Sequence, residues 1–106
     1  MSLDGRLALI TGGGRGIGHA VSLALAKDGA DIAIHYNRDA EAAQATAEAI
    51  SDLGRRAGTF QASLEDLSSL TRMMDSVQKE LGDPGILINN AGIASRGKTV
   101  AETETE

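Results

Sequence analysis

An α/β fold with a doubly wound parallel sheet, present in part as βαβαβαβ with strand order 3-2-1-4, is predicted by three features of this 106-residue chain. Short apolar runs of strand length alternate with longer segments whose apolar residues recur every three or four positions. The joins between them are short and marked by glycine. Two glycine-containing segments, 12–18 and 89–92, each follow directly on an apolar run, the first and the fourth. Alternating strands and helices imply a parallel sheet with right-handed crossovers. In such a sheet ligands bind beyond the carboxyl ends of the first and fourth strands, where the strand order reverses.

The first strand spans Arg6 to Thr11, and the glycines after it end it. Ile17, Ala20, Val21, Ala24 and Leu25 then follow the helical period, with Gly29 at the position where a helix stops in positive φ. Asp31 to His35 reads as a second strand, after which Asn37 or Asp39 caps an Ala-rich helix to about Leu53, closed by Gly54. Ala43, Ala47 and Ile50 share the inner face of that helix, away from Glu41, Gln44 and Glu48. Thr59 to Ala62 is a weaker third strand. Asp66 caps a third helix with an apolar stripe of Leu67, Leu70, Met74, Val77 and Leu81, and both Met73 and Met74 read as core filler. After Gly82 and Pro84, Ile86 to Ile88 form the fourth strand, followed by Asn89-Asn90-Ala91-Gly92 and a polar tail.

One domain, residues 1–106, accounts for this length, and a hydrophobic share of 42% is ordinary for a water-soluble α/β chain. A net charge of −5 argues against nucleic-acid binding, which relies on basic patches. No apolar run approaches the ~20 residues needed to span a bilayer, and Met1 to Leu7 do not read as a signal peptide. The cytoplasm is the expected compartment. No Cys is present, so neither disulfides nor thiolate metal sites are expected, and two His without Cys make a zinc site unexpected. His19 and His35 have no evident carboxylate partner and read as structural. Glu102, Glu104 and Glu106 read as a solvated acidic terminus.

The segment Thr11-Gly12-Gly13-Gly14-Arg15-Gly16-Ile17-Gly18 suits a dinucleotide pyrophosphate, because unpaired N–H groups at a helix start attract anions and glycines let the backbone come close. Gly12 permits the sharp exit from the strand, Gly16 the approach to the ligand, and Gly18 the packing of the helix on the sheet. The spacing is Gly-x-x-x-Gly-x-Gly, unlike the common Gly-x-Gly-x-x-Gly, and a glycine-rich turn alone is also compatible with a tight connection. No Lys-Ser or Lys-Thr stands in the turn itself, so a Walker-type triphosphate site is not expected there. An acid at the end of the second strand would select NAD; here the stretch is His35-Tyr36-Asn37-Arg38, with Asp39 late. Arg15 and Arg38 together would neutralise a 2′-phosphate, which favours NADP over NAD, unless both are simply solvated surface residues.

The glycine segment paired with Asn89-Asn90-Ala91-Gly92 resembles the short-chain dehydrogenase/reductase family, and the resemblance runs from Gly5 to Ile93. With Tyr36-Asn37, the turn is most similar to that of the 3-oxoacyl-[acyl-carrier-protein] reductase type, whose members mostly use NADPH. The resemblance implies a Rossmann-type cofactor domain. Gly12, Arg15, Gly16 and Ile17 would surround the pyrophosphate and adenosine, with Asn37 near the 2′-phosphate. Asn90, Ala91 and Gly92 would lie along the ribose, and Asn89 would brace the strand. Ser63-Leu64 stand where the family commonly has Asp-Val against adenine, and Gly85 stands where it often has Asp before the fourth strand.

Family members reduce a carbonyl or oxidise an alcohol with a Tyr, a Lys four residues on, and a Ser. Here the only tyrosine is Tyr36, followed at that distance by Ala40, so no catalytic residue is assigned. The expectation is the cofactor-binding half of an NADP-dependent oxidoreductase, truncated before its catalytic half and inactive by itself. Its longer form would act on a small carbonyl or alcohol, with 3-oxoacyl thioesters among the candidates, and would form a homo-oligomer. The alternative is a non-catalytic dinucleotide-binding module. A bare edge at the fourth strand, and an apolar face covered only by the third helix, predict marginal stability or association.

Overall fold

The computed structural model describes residues 2–90. The elements are β1 (Leu7–Thr11), α1 (Gly16–Lys27), β2 (Asp31–Tyr36), α2 (Ala40–Asp52), β3 (Ala57–Gln61), α3 (Leu67–Glu80) and β4 (Ile86–Asn89). All pairings are parallel, in the order β3-β2-β1-β4, as the alternation of strands and helices predicts. Ile10 lies between Ile34 and Ile88, which brings the carboxyl ends of β1, β2 and β4 level with one another.

Every residue of β1 is buried, as befits a central strand covered on both faces. Its alternate side chains enter two separate cores. Ala8 and Ile10 join Ile32 and Ile34 beneath α1 and α2, against Ala26, Ala43, Ala47 and Ile50. Leu7 and Leu9 join Ala33, Phe60 and Ala62 beneath α3, against Met73 and Val77. The expected inner face of α2 is therefore the observed one.

The helix ends follow their sequence signals. Asp39, rather than Asn37, caps α2 by accepting from the Ala42 N–H at 3.0 Å. Asp66 caps α3 through the Ser68 N–H at 3.0 Å. Gly29 (φ +112°) and Gly54 (φ +85°) follow α1 and α2 in the left-handed region that other residues resist.

Two expectations are corrected. Leu67 is 78% exposed and Met74 41% exposed, whereas Met73 is 4% exposed and Val77 is fully buried. The inner stripe of α3 thus runs Leu70, Met73, Val77 and Leu81. Successive helical residues are rotated by about 100°, so a stripe that takes Met73 turns Met74 outward. Second, β3 begins at Ala57, two residues before the expected start. Asp31 secures that start: its carboxylate accepts from the Arg56 N–H at 2.9 Å and pairs with the Arg56 guanidinium at 3.1 Å. Gly58 fits there because the Phe60 ring covers it, 3.0 Å from where a Cβ would stand.

On the α3 face the apolar exposure is narrower than expected. Leu7 and Leu9 are buried, and Leu87 of β4, 66% exposed, is the large apolar strand residue left open among those described. No helix among the described residues is long and apolar enough to cross a membrane.

Candidate functional site

A cavity of about 900 Å³ opens beyond the carboxyl ends of the strands. One wall is Gly12, Gly14, Arg15, Gly16 and Ile17, from the turn after β1 and the start of α1. His35 to Asp39 form a second wall after β2, Ser63 to Glu65 a third after β3, and Asn90 closes the β4 side. Nine of the residues singled out in the sequence meet here: Gly12, Arg15, Gly16, Ile17, Asn37, Arg38, Ser63, Leu64 and Asn90. Gly18 stands behind the wall. Ala91, Gly92 and the acidic terminus at Glu102, Glu104 and Glu106 lie outside the described residues.

The turn has the backbone its glycines suggest. Gly12 (φ +64°) and Gly16 (φ +52°) are both left-handed, and nothing lies within 4 Å of a Cβ placed on Gly16. Gly16 itself lines the cavity. Arg15, which precedes α1, offers no side-chain cap, and the first turn of α1 carries no acid. The positive end of the helix dipole therefore reaches the cavity without a counter-charge from its own first turn.

Gly18 has a different task from the others. A Cβ there would collide with the Gly12 carbonyl, would come within 2.7 Å of Asn90 Nδ2 and within 2.8 Å of Gly13 Cα. The start of α1 and the turn are stacked in direct backbone contact, which only glycine allows.

Asn90, Thr46 and His35 are three of the buried polar side chains that fix this turn. Asn90 Nδ2 donates to the Gly12 carbonyl at 3.1 Å, and the Asn90 N–H donates to Thr11 Oγ1 at 2.9 Å. Thr11 Oγ1 lies 3.1 Å from Asn89 Oδ1, so Asn89 ties the end of β1 to the end of β4. Thr46 of α2 is within 3.1 Å of the carbonyls of both Gly14 and Ala42, and its Oγ1 is 2.6 Å from His19 Nδ1. Gly14 rests on α2 so closely that a Cβ would stand 2.7 Å from Ala43 Cα.

The third is His35. The Gly12 N–H donates to its Nδ1 at 3.0 Å, its Nε2 donates to the Ala62 carbonyl at 2.9 Å, and its own carbonyl accepts from the Gly13 N–H at 3.2 Å. Burial pushes the imidazole pKa below its usual value, opposed by the hydrogen bond to Ala62.

At the cavity mouth Arg15 approaches Asp39 at 3.7 Å, both side chains substantially exposed. Asp39, expected only as a helix cap, also partners the arginine assigned to a phosphate. An exposed pair of this kind contributes little to stability and yields readily to a stronger anion. The lining thus carries Arg15 and Arg38 against Asp39 and Glu65.

Gly14, His35, Tyr36, Asp39 and Glu65 line the cavity without having been singled out as ligand contacts. For Gly14 the signal was present, in an unbroken Gly12-Gly13-Gly14 run ahead of an Ala-rich helix. For His35 there was none, because its partners are set by sheet register.

Comparison with known proteins agrees with this geometry. The family model described as short chain dehydrogenase matches residues 6–106. A hydroxynaphthalene reductase of Aspergillus fumigatus is 39% identical over 106 residues, all of this chain and 38% of that protein. A versicolorin reductase of Emericella nidulans is 38% identical over 104 residues, 98% of this chain and 39% of that one. A short chain dehydrogenase from Burkholderia cenocepacia, solved in complex with NADP, superposes with a TM-score of 0.81 at 47% identity. That superposition covers 86% of this chain and 37% of the other. The chain therefore spans well under half the length of the relatives it matches, and over that span it belongs to the short chain dehydrogenase family.

Proposed function

We propose that these residues form the NADP-binding part of a reductase that transfers hydride between the nicotinamide and a small carbonyl or alcohol. The observation that carries this reading is the cavity itself. Left-handed Gly12 and Gly16 and the uncapped start of α1 lie on one wall, with Arg15 and Arg38 on the rim.

The open space at Gly16 and the N–H groups at the start of α1 fit a pyrophosphate. Arg15, Asn37 and Arg38 would hold the adenosine end, where a 2′-phosphate outcompetes Asp39 for Arg15 because it carries more charge and more acceptor oxygens. Ser63 and Leu64 would border the adenine, and Asn90, with Ala91 and Gly92 after it, the ribose. Bound NADPH supplies a hydride to a carbonyl carbon; this chain's part is to grip the pyrophosphate and orient the ring. The proton-transfer residues would come from the portion of the relatives that these residues do not span. The reductase names of two relatives support the reductive direction, and a 3-oxoacyl thioester is the substrate implied by the turn's resemblance to the 3-oxoacyl-[acyl-carrier-protein] reductase type.

Titration calorimetry with NADPH and NADH tests the cofactor. Tighter binding of NADPH by about tenfold or more is expected, as one well-placed charge-assisted contact provides. Equal affinities, or a preference for NADH, would contradict the roles of Arg15 and Arg38. A second reading, a dinucleotide module without catalysis, rests on the sole tyrosine, Tyr36, having Ala40 rather than Lys four residues on. NADPH-dependent carbonyl reduction by the natural gene product separates the two.

A further inference from the structure

We propose that His35 is a positioning residue for the phosphate-gripping turn, its uncharged ring tying Gly12 to the segment after β3 while its backbone carbonyl holds Gly13. This rests on the cofactor reading above and adds to it a residue that touches no ligand in that reading.

The argument begins with hydrogen-bond chemistry. A backbone N–H can only donate, so His35 Nδ1, 3.0 Å from the Gly12 nitrogen, must be unprotonated. A carbonyl can only accept, so Nε2, 2.9 Å from the Ala62 oxygen, must carry the proton. The two contacts fix one tautomer of the neutral ring. The His35 carbonyl takes the next N–H, that of Gly13. One residue of β2 thus receives two successive amides of the turn while its ring holds the loop after β3. Gly12 is left-handed, a conformation glycine leaves as easily as it enters, so the bond to its N–H helps to decide where the following amides point.

The site is enclosed. His35 is 1% exposed. From β1 it is faced by Leu9 and Thr11, from β3 by Phe60 and Ala62, and α3 turns Met73 and Val77 to this core; none of these titrates. Among the described residues, Arg15, Arg38, Asp39, Glu65 and the Tyr36 phenol share the cavity with it, and none is its hydrogen-bond partner. Protonation would turn Nδ1 into a donor facing the Gly12 N–H, and the turn would lose one of its anchors. Burial pushes the ring's pKa down, so the neutral form persists somewhat below the usual His range. Affinity for the dinucleotide is therefore full near neutrality and falls as pH drops through that lowered value.

Two measurements test this. Long-range proton–nitrogen spectra of the unmodified protein without ligand report the tautomer. The Nε2-protonated form is expected, with the Gly12 amide titrating in step with the His35 ring; an Nδ1-protonated ring would overturn the proposal. NADPH affinity is then compared between the unmodified protein and His35→Asn from about pH 5 to 8. An Asn Oδ1 occupies the place of Nδ1, accepts from Gly12 and does not titrate. The unmodified protein should lose about threefold to tenfold more affinity at the acid end than the variant, the value of one hydrogen bond. The cofactor's own 2′-phosphate titrates in both arms and cancels. His35→Leu should bind more weakly at every pH. Binding with identical pH profiles in the unmodified protein and His35→Asn would overturn the positioning role and leave the cofactor reading intact. Failure of the unmodified protein to bind NADPH or NADH at any pH would overturn the cofactor reading and this proposal with it, whatever tautomer the spectra report.

Discussion

The two faces of the sheet are sealed by different means. Under α1 and α2 the contacts are made largely by alanines, with Ala26, Ala43 and Ala47 against Ile10, Ile32 and Ile34. Under α3 they are made by long side chains, Phe60, Met73, Leu7 and Leu9. Small side chains let backbones come close, and the cavity depends on that closeness: Gly14 against Ala43, Gly18 against Gly12, Thr46 reaching the Gly14 carbonyl. Long side chains bridge a wider gap and hold no part of the turn. They also leave apolar surface open beside them, at Leu67, Met74 and Leu87. The first face positions the turn by close backbone packing, and the second reaches it through His35.

The sharpest way to break this contrast is one methyl group on the close-packed side. Gly18→Ala meets backbone at the Gly12 carbonyl and at Gly13 Cα. It should cost about 3 kcal/mol in urea unfolding and abolish NADPH binding. Full retention of binding would mean that the stacked turn is not needed.

Next in size is a pair of neighbours on α3. Met73→Ala removes a buried side chain and should cost about 2–3 kcal/mol, while Met74→Ala should change stability by less than about 0.5 kcal/mol. The opposite ranking would restore the helix phase read from the sequence.

Arg15→Ala should weaken NADPH by about tenfold and leave NADH within about twofold, which calorimetry reads directly. An equal loss for both cofactors would move Arg15 from the 2′-phosphate to the pyrophosphate.

The smallest effect expected is a gain. A Cβ on Gly85 would lie 3.6 Å from Arg6 Nε, and Gly85 is not among the glycines at positive φ. Gly85→Asp should therefore add up to about 1 kcal/mol by pairing with Arg6. No gain would show that the bracing lost with the family's Asp is supplied elsewhere, for example by the Gly85 N–H to the Leu7 carbonyl at 2.9 Å.

The sequence was most legible where one residue type has one physical use. The glycines of the turn, the cap Asp66 and the strand order followed from local chemistry and the alternation of elements, and Asp39 was one of two caps offered for α2. It was ambiguous where two answers share a pattern. Leu70, Met73, Val77 and Leu70, Met74, Val77 both satisfy helical spacing, and only contact with the sheet chose the first. The start of β3 at Ala57 was missed because it depends on Asp31, distant in sequence, holding Arg56. It marked His35 only as structural, without its partners, and was silent on Thr46. Each is buried with partners 23 to 32 positions away, and such pairs exist only once the register of the sheet and the seating of α2 are set.

The most direct test of the central claim is a map of backbone amides on adding NADPH. Shifts concentrated at Gly12, Gly16, Ile17 and Asn37, with little change along the outer face of α3, are expected. No shifts at millimolar NADPH, or shifts centred on Leu67 and Met74, would contradict it.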